Sequence, residues 1–327
     1  MKKIIAVICI FFLHTSCGGN DSFVMPPSVG NINHVLVVIK GNLWKGSVGD
    51  EIKKSLSKLQ RELPQEEPVL SLLHVEPNKF SNIIQRNRNI LIIEERADEM
   101  FKTIKNKYAG PQTIVYISAK NKEEIKRVIS EKGKEIVAIF RTADILQTQR
   151  VFRAKKINDI LYKTVKNLNI SLTIPEEYRT VDDTGEFLWL RHRLKSGIAK
   201  GAGSNNIIVY ALPLTDTSVM RASIAQIRDS IGERYIPGAR EGMYMITEKA
   251  YTPETLAIEL KGYKAFETRG KWEVKNAFMA GPFVNYTILD KKNNRWLIVE
   301  GFTYAPSVDK RDLLFELEAI AKSVIIK

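Results

Sequence analysis

The two cysteines of this 327-residue chain, Cys9 and Cys17, both lie close to its N-terminus. The rest of the chain therefore has to fold without a disulfide scaffold, a Cys-bound zinc or a cysteine nucleophile. Its stability has to come from hydrophobic cores, and the chain is long enough for two domains. Charged residues make up 27% of the sequence and the hydrophobic set 44%, which excludes wholesale disorder and a polytopic membrane protein.

The first 17 residues have the layout of an export signal. Lys2 and Lys3 precede an apolar run from Ile4 to Leu13, which is about half the length that a membrane-spanning helix needs. Small polar residues then lead to Cys17. This order resembles a bacterial lipoprotein signal, in which the peptide is cleaved before the cysteine and the cysteine is acylated.

The resemblance implies a signal peptide over residues 1–16 and a lipidated tether over residues 17–33. Acyl chains on Cys17 would hold the protein to a membrane, since each buried CH₂ contributes about 0.8 kcal/mol. We expect an outer-membrane lipoprotein of the cell envelope, and neither the periplasmic nor the surface face is favoured. His14 stands where such signals usually carry leucine, and a secreted protein with an incidental cysteine is the alternative.

Strand and helix patterns alternate along residues 34–169, which indicates an α/β domain. Helices are predicted from Ile52 to Leu59 and around Phe80 to Ile84. Strands are predicted at four runs: His34 to Lys40, Val69 to Val75, Asn89 to Glu94 and Thr113 to Ala119.

The glycine-rich stretch from Gly41 to Asp50 stands where phosphate loops lie, between a strand and a helix. It lacks the Gly-Lys-Ser/Thr order of a nucleotide loop, and the acid at its end would repel an anion. We therefore interpret it as a loop that enters a helix capped by Asp50.

Long helices are predicted after the last of these strands. Asn121 and Glu124 have capping-box spacing, and apolar residues continue at helical spacing to Leu146. A strand over Glu135 to Arg141 is the alternative, because that short run is also apolar. A second helix is predicted from Val151 to Leu168, and the two helices would join the domains.

Residues 170–327 are rich in strand patterns and indicate an antiparallel sheet with helices. A polar turn from Asp290 to Arg295 predicts a hairpin, and helices are predicted from Ser218 to Ile231 and from Asp309 to Val324. Strands are predicted at Ser171 to Ile174, Phe187 to Leu194, Ile207 to Leu212, Tyr244 to Thr247, Phe283 to Leu289 and Trp296 to Thr303. The predicted fold class is α/β and α+β: an N-terminal mixed α/β domain joined by long helices to a C-terminal antiparallel sheet packed with helices.

The net charge of +13 is concentrated in one segment. Between Phe101 and Lys166, 16 basic residues stand against 6 acidic ones. A cationic helical surface can bind anionic lipid or an acidic envelope protein, and we single out Lys155, Lys156 and Lys163 for such binding. A solvated helix face is the alternative.

Motifs for catalysis, cofactors and metals are missing from the sequence. It has no Gly-x-Ser-x-Gly elbow, and the adjacent acids Glu176-Glu177 and Asp182-Asp183 fall on predicted turns. We therefore expect no enzyme activity, no cofactor and no metal, and the export signal argues against a nucleic-acid partner. The histidines stand far apart in sequence: His14, His34, His74 and His192.

Aromatic residues concentrate in the second domain. They could form a ligand-binding sheet face, but closing a core between helix and sheet is the favoured interpretation. The set comprises Trp272, Phe278, Phe283, Tyr286, Trp296, Phe302 and Tyr304.

Several stretches resemble an uncharacterised lipoprotein family of Bacteroidetes that is known only as a domain of unknown function. They are Gly30 to Val38, Leu43 to Gly49, Ser171 to Pro175 with Tyr178, and Arg295 to Pro306 with Lys310 and Arg311. The resemblance covers nearly the whole mature chain, implies an envelope lipoprotein and supplies no activity. The second domain is also similar in element order to the PsbP and Mog1 sandwich, a non-catalytic scaffold.

The function expected from these observations is that of a non-catalytic binding or assembly component of the cell envelope. Its expected partners are a membrane, through the lipid at Cys17, and an anionic lipid or an envelope protein. A carrier of an apolar or anionic envelope ligand and a hydrolase without a recognisable motif are the alternatives.

Overall fold

A computed structural model of the chain describes residues 25–194, 203–306 and 308–327. The expected signal peptide, the acylation site Cys17 and the start of the tether lie outside the described residues. No helix within those ranges is both long and apolar enough to cross a membrane.

The first domain is built on a five-stranded sheet in the order β2-β1-β3-β5-β4. All pairs are parallel except that β4 runs antiparallel to β5 at the edge. The four predicted strands are confirmed, whereas β4 was not predicted, because an edge strand with one exposed face carries little apolar pattern. The strands are β1 His34–Val38, β2 Ser71–Val75, β3 Asn89–Glu95, β4 Met100–Lys105 and β5 Thr113–Ala119.

Four helices accompany this sheet. Two of them, α2 and α4, cover one face, where strand residues such as Val37 and Val115 pack against Ile52 and Ile129. The opposite face holds a smaller cluster around Leu36 that is partly covered by α3. The helices are α1 Gly41–Trp44, α2 Ser47–Leu56, α3 Asn82–Gln85 and α4 Lys122–Ala154, with a 3₁₀ turn at Pro77–Lys79.

The loop expected from Gly41 to Asp50 consists instead of α1 and the start of α2. Asp50 lies inside α2, and Gly46 occupies the N-cap position. The glycine at position 49 permits the close approach of the two helices, since a Cβ added there would meet the carbonyl oxygen of Trp44 at 1.8 Å. Only glycine fits there.

The long helix predicted after β5 is confirmed as the single helix α4, and the alternative strand from Glu135 to Arg141 is wrong. Asn121 caps it as expected, since its side-chain oxygen accepts hydrogen bonds from the backbone N–H groups of Glu123 and Glu124 at 3.1 and 3.0 Å.

The second predicted helix, Val151 to Leu168, is wrong. Lys156 forms a bridge with Pro175, and the carboxylate of Asp159 accepts a hydrogen bond from the backbone N–H of Leu172 at 2.7 Å. These contacts with the second domain interrupt the helical run, which resumes as a 3₁₀ turn at Asp159–Leu161 and as α5 Lys163–Asn167.

The second domain is built on an eight-stranded antiparallel sheet in the order β10-β12-β13-β14-β9-β8-β7, with β11 paired to β12. The expected hairpin is confirmed, since Asp290 pairs with Arg295. The strands are β7 Arg179–Asp183, β8 Phe187–Arg193, β9 Ser204–Pro213, β10 Met245–Thr247, β11 Glu254–Leu260, β12 Tyr263–Val274, β13 Ala280–Asp290 and β14 Arg295–Tyr304.

Three of these strands were not predicted, namely β7, β11 and β12. In β12 the charged residues Glu267 and Arg269 lie on the face towards Glu318 and Lys322, and they interrupt the apolar alternation that predicts a strand. The predicted strand from Ser171 to Ile174 shortens to β6 Ile170–Ser171, which pairs with β15 Ile325–Ile326.

Two helices enclose the second sheet, α6 Thr217–Tyr235 on one face and α7 Arg311–Ala321 on the other. Leu314, Leu317 and Ile320 of α7 pack on an aliphatic face of the sheet. Under α6 lies an aromatic core that includes Trp272, Phe283, Trp296 and Phe302. The predicted fold class is thus confirmed, with one long helix in place of two.

The two domains are in direct contact. Ile145 of α4 packs against Phe315 and Ala319 of α7, and the side chain of Gln149 donates a hydrogen bond to the carbonyl of Ala319 at 2.8 Å. Part of the expected tether also belongs to the first domain, because Pro27 and Val29 form bridges with Gly110 and Asn87.

Candidate functional site

A groove of about 780 Å³ runs between the two domains. One wall comes from the loop after α2 and from the exposed side of α4, and the other comes from β11, β12 and the end of α7. The groove lies here because α4 packs on α7. A long helix that crosses onto another domain leaves a cleft beside the contact between the two helices.

The floor of the groove is a network of charged side chains from both domains. The guanidinium groups of Arg141 and Arg269 both contact one carboxylate oxygen of Glu318, at 2.5 Å each. Lys322 contacts the other oxygen of Glu318 at 2.7 Å. Arg269 also contacts Glu267 at 2.6 Å and Glu62, from the first domain, at 3.3 Å.

This network contains three cationic and three anionic side chains, and its charges stabilise one another. Burial opposes the ionisation of Glu318, but Arg141 and Arg269 outweigh it and hold its pKa well below the usual range. Burial likewise disfavours the charged form of Arg269, yet Glu318 and Glu267 raise its pKa well above the usual range. Glu318 and Arg269 are therefore held in their charged forms, and their contacts with Arg141 and Glu62 tie the domains together.

The walls of the groove are apolar. Leu59, Leu146 and Leu256 are exposed over 53%, 61% and 51% of their surface, and all three line the groove. Large exposed leucines concentrated at one cleft are typical of a binding surface.

Further lining residues carry an excess of positive charge. Lys58, Arg61, Lys134 and Lys261 are exposed, against the single exposed carboxylate of Glu254. Within the described ranges none of these four cations forms an ion pair, although Lys261 donates to the carbonyls of Ser323 and Val324. The groove thus combines apolar walls with a positive potential.

The three lysines singled out in the sequence lie away from this groove. Lys155 and Lys156 follow α4, Lys163 begins α5, and all three are exposed. Lys155 lies 4.0 Å from Glu176, and the backbone N–H of Lys163 donates to Asp183. The basic segment therefore has acidic neighbours here, and binding of an anionic surface by these lysines stays a prediction.

The charged floor of the groove was not predicted from the sequence. A signal for it was present in the predicted helices, since Arg141 and Glu318 each interrupt an apolar stripe, and a charge at a core-facing position is rarely buried without a partner. The described residues also include no group of three His, Cys, Asp or Glu side chains able to hold a metal ion.

The fold and the groove together define a two-domain protein with a candidate ligand site between an α/β domain and an antiparallel α+β domain. Its second half matches the family described as "Domain of unknown function (DUF4837)" over residues 158–323, and the chain belongs to this family. A second family, "Domain of unknown function (DUF8532)", matches residues 28–153. The expected resemblance to a domain of unknown function is confirmed, with two families along the chain rather than one.

Two solved structures illustrate the more distant similarities. LpqN, involved in cell envelope biogenesis of Mycobacterium tuberculosis, is 14% identical, with a TM-score of 0.30 over 48% of this chain and 83% of LpqN. The Saccharomyces cerevisiae Ran-binding protein Mog1p is 9% identical, with a TM-score of 0.33 over 48% of this chain and 90% of Mog1p. The expected similarity to Mog1 is thus found, at low sequence identity. None of the curated proteins searched matches the chain.

Proposed function

We propose that this chain is a non-catalytic binding protein of the cell envelope, anchored to the outer membrane by acyl chains on Cys17, and that its ligand occupies the interdomain groove. The observation that carries the proposal is the groove itself, whose volume falls in the range of about 300–1,000 Å³ that is typical of small-ligand sites. The export-signal layout of residues 1–17 supports the envelope as the compartment.

The ligand proposed is an anionic amphiphile, an acyl chain with a negative head group. Burial of apolar surface contributes roughly 25 cal/mol per Å², and the exposed Leu59, Leu146 and Leu256 offer such surface to an acyl chain. The cationic side chains of the groove would attract the head group and disfavour neutral or cationic ligands.

A binding role fits the floor of the groove better than a catalytic role. General acid–base catalysis needs a group whose pKa lies near the working pH. Glu318 and Arg269 instead have pKa values shifted towards their charged forms, and each is held by several partners. Their contacts serve to fix the two walls of the groove relative to each other.

The test is binding of a fluorescently labelled fatty acid to the mature chain carrying Cys17→Ser, with displacement by palmitate and by uncharged methyl palmitate. We expect palmitate to compete better, because the groove is cationic. Leu146→Asp should weaken binding about tenfold or more, since it removes an apolar wall and adds a negative charge. Leu161→Asp is the matched control, because Leu161 is exposed outside the groove.

The proposal is wrong if Leu146→Asp and Leu161→Asp bind equally well, or if no labelled fatty acid binds to the parent. The second outcome would favour a role in assembly without a small ligand.

A further inference from the structure

A second cavity, of about 330 Å³, opens on the face of the second-domain sheet that carries α6. It is separate from the groove, which lies on the α7 side. Four of its sixteen lining residues are aromatic, and two of these, Trp272 and Phe302, are in edge-to-face contact at 5.4 Å between ring centroids. Its aromatic lining comprises Trp189, Trp272, Phe302 and Tyr304.

Two arginines of β8 lie in the same cavity wall, Arg191 and Arg193. The described lining residues include no Asp or Glu, and neither arginine forms an ion pair within the described part of the chain. Two guanidinium groups on one strand without a counter-ion are unfavourable by themselves, because like charges repel. The pKa of Arg191 is accordingly lowered, by burial and by the charge of Arg193.

The guanidinium group of Arg191 is held in one orientation by its neighbours. Its Nε donates to the side-chain oxygen of Asn206 at 3.0 Å, and its plane lies over the Trp189 ring at 4.7 Å from the centroid. The same oxygen of Asn206, which is buried, accepts a hydrogen bond from Nε1 of Trp189 at 3.0 Å. This arrangement leaves the two terminal nitrogens of Arg191 without a described partner. A guanidinium fork fixed in this way matches the geometry of a carboxylate or a phosphate.

We infer that this cavity, which we call the arginine–aromatic pocket, binds a small ring compound that carries a carboxylate or a phosphate. Arg191 and Arg193 pair with the anionic group, and the ring contacts the accessible edges of the aromatic side chains, since Trp189, Trp272 and Phe302 are 6%, 2% and 3% exposed. Aromatic side chains favour flat apolar faces, which sugars and aromatic acids both present. The inference does not rest on the function proposed for the groove, because it uses different residues on the opposite face of the sheet.

The test is tryptophan fluorescence combined with ligand-observed NMR on the mature Cys17→Ser chain. Trp189 and Trp272 line the pocket, so occupancy should change their emission. The probes are glucuronate, glucose 6-phosphate and benzoate. They show whether the pocket binds an acidic sugar or an aromatic acid. Glucose and inorganic phosphate are the controls for the ring and for the anion alone. At least one probe should bind more tightly than both controls, and added salt should weaken the binding through screening.

Arg193→Gln should weaken that binding about tenfold, since a charge-assisted hydrogen bond is lost. Arg193 is exposed, so this change should leave the fold intact. Arg191→Gln should abolish binding, with a thermal melt to verify folding. Arg150→Gln is the matched control, on the exposed side of α4. Three outcomes would each overturn the inference: equal binding by the Arg193 and Arg150 variants, no probe that binds more tightly than glucose and inorganic phosphate, or no binding of any probe at millimolar concentration.

Discussion

Single residues of this protein show how burial and neighbouring charge set ionisation. Glu316 of α7 has its pKa raised to about 7, first by burial and then by the negative charges of Asp312 and Glu177. Tyr178 is also close enough to sense the charge of Glu316. The folded state therefore holds a proton on Glu316 that the unfolded chain, with an ordinary carboxyl pKa, releases near pH 4.5.

The sign of the pH dependence follows from that difference. A carboxyl whose pKa is raised in the folded state contributes stability that is complete below its unfolded pKa and is lost as pH rises towards the folded value. The contribution of Glu316 should fall between pH 4.5 and about 7, by at most about 3 kcal/mol.

Replacing Glu316 by glutamine should remove this loss of stability at higher pH, because glutamine resembles the protonated carboxyl and cannot ionise. We expect Glu316→Gln to match the parent near pH 4.5 and to be more stable at pH 8, as measured by urea unfolding at both pH values. Glu186→Gln, at an exposed position, is the control and should show no such difference. A stability gain that is the same at both pH values would contradict the assignment.

Among the helices, α7 depends on the other domain for its N-terminal cap. It has no side-chain cap of its own, and the carboxylate of Glu67 accepts hydrogen bonds from the backbone N–H groups of Lys310 and Arg311 at 2.7 and 2.9 Å. A carboxylate at this end also interacts favourably with the helix dipole. The helix that supports the floor of the groove is thus stabilised from across the domain interface.

Removal of this cap should lower the free energy of unfolding more than an ordinary substitution at the surface does. Glu67→Ala leaves two buried N–H groups without partners, so we expect a loss of about 2–3 kcal/mol in the free energy of unfolding. Glu66→Ala, at the exposed neighbouring position, should change it by less than about 0.5 kcal/mol. Urea denaturation measures the free energy of unfolding of both variants. Equal values would mean that water satisfies the two N–H groups as well as the Glu67 carboxylate does.

For the whole molecule, the proposed membrane anchor is one residue, the acylated Cys17, because the first 17 residues have the layout of an export signal that ends at this cysteine. Cys17→Ser should move the protein from the membrane fraction to the soluble fraction and abolish incorporation of labelled palmitate. Cys9→Ser is the matched control, because Cys9 lies in the peptide that is expected to be cleaved. A Cys17→Ser protein that stays in the membrane pellet after a high-salt wash would show that the tether is wrongly assigned.

Elements with a strong local pattern were predictable from the sequence. The apolar runs from His34 and from Thr113 became buried strands, and Asn121 marked the start of α4, because burial periodicity and capping act within a few residues. The hairpin from Asp290 to Arg295 was likewise predictable, since its turn lies between two strong strand patterns.

Features that depend on contacts distant in sequence could not be read in the same way. The helical pattern continues past Ala154, yet bonds from Lys156 and Asp159 to the second domain end the helix there. In β12 the charged Glu267 and Arg269 hid a strand, because the ion pairs that stabilise them involve residues distant in sequence, among them Glu318 and Lys322 of α7.

The sequence by itself determined the fold class, the strong strands and the long helix, and the export signal expected from it stays a prediction. Only the tertiary structure decided the groove and the arginine–aromatic pocket. Each of these sites collects side chains from segments far apart in the chain, as Arg141 and Glu318 do in the floor of the groove. Local periodicity reports which face of an element is buried, whereas the partner of a buried charge depends on how the elements pack.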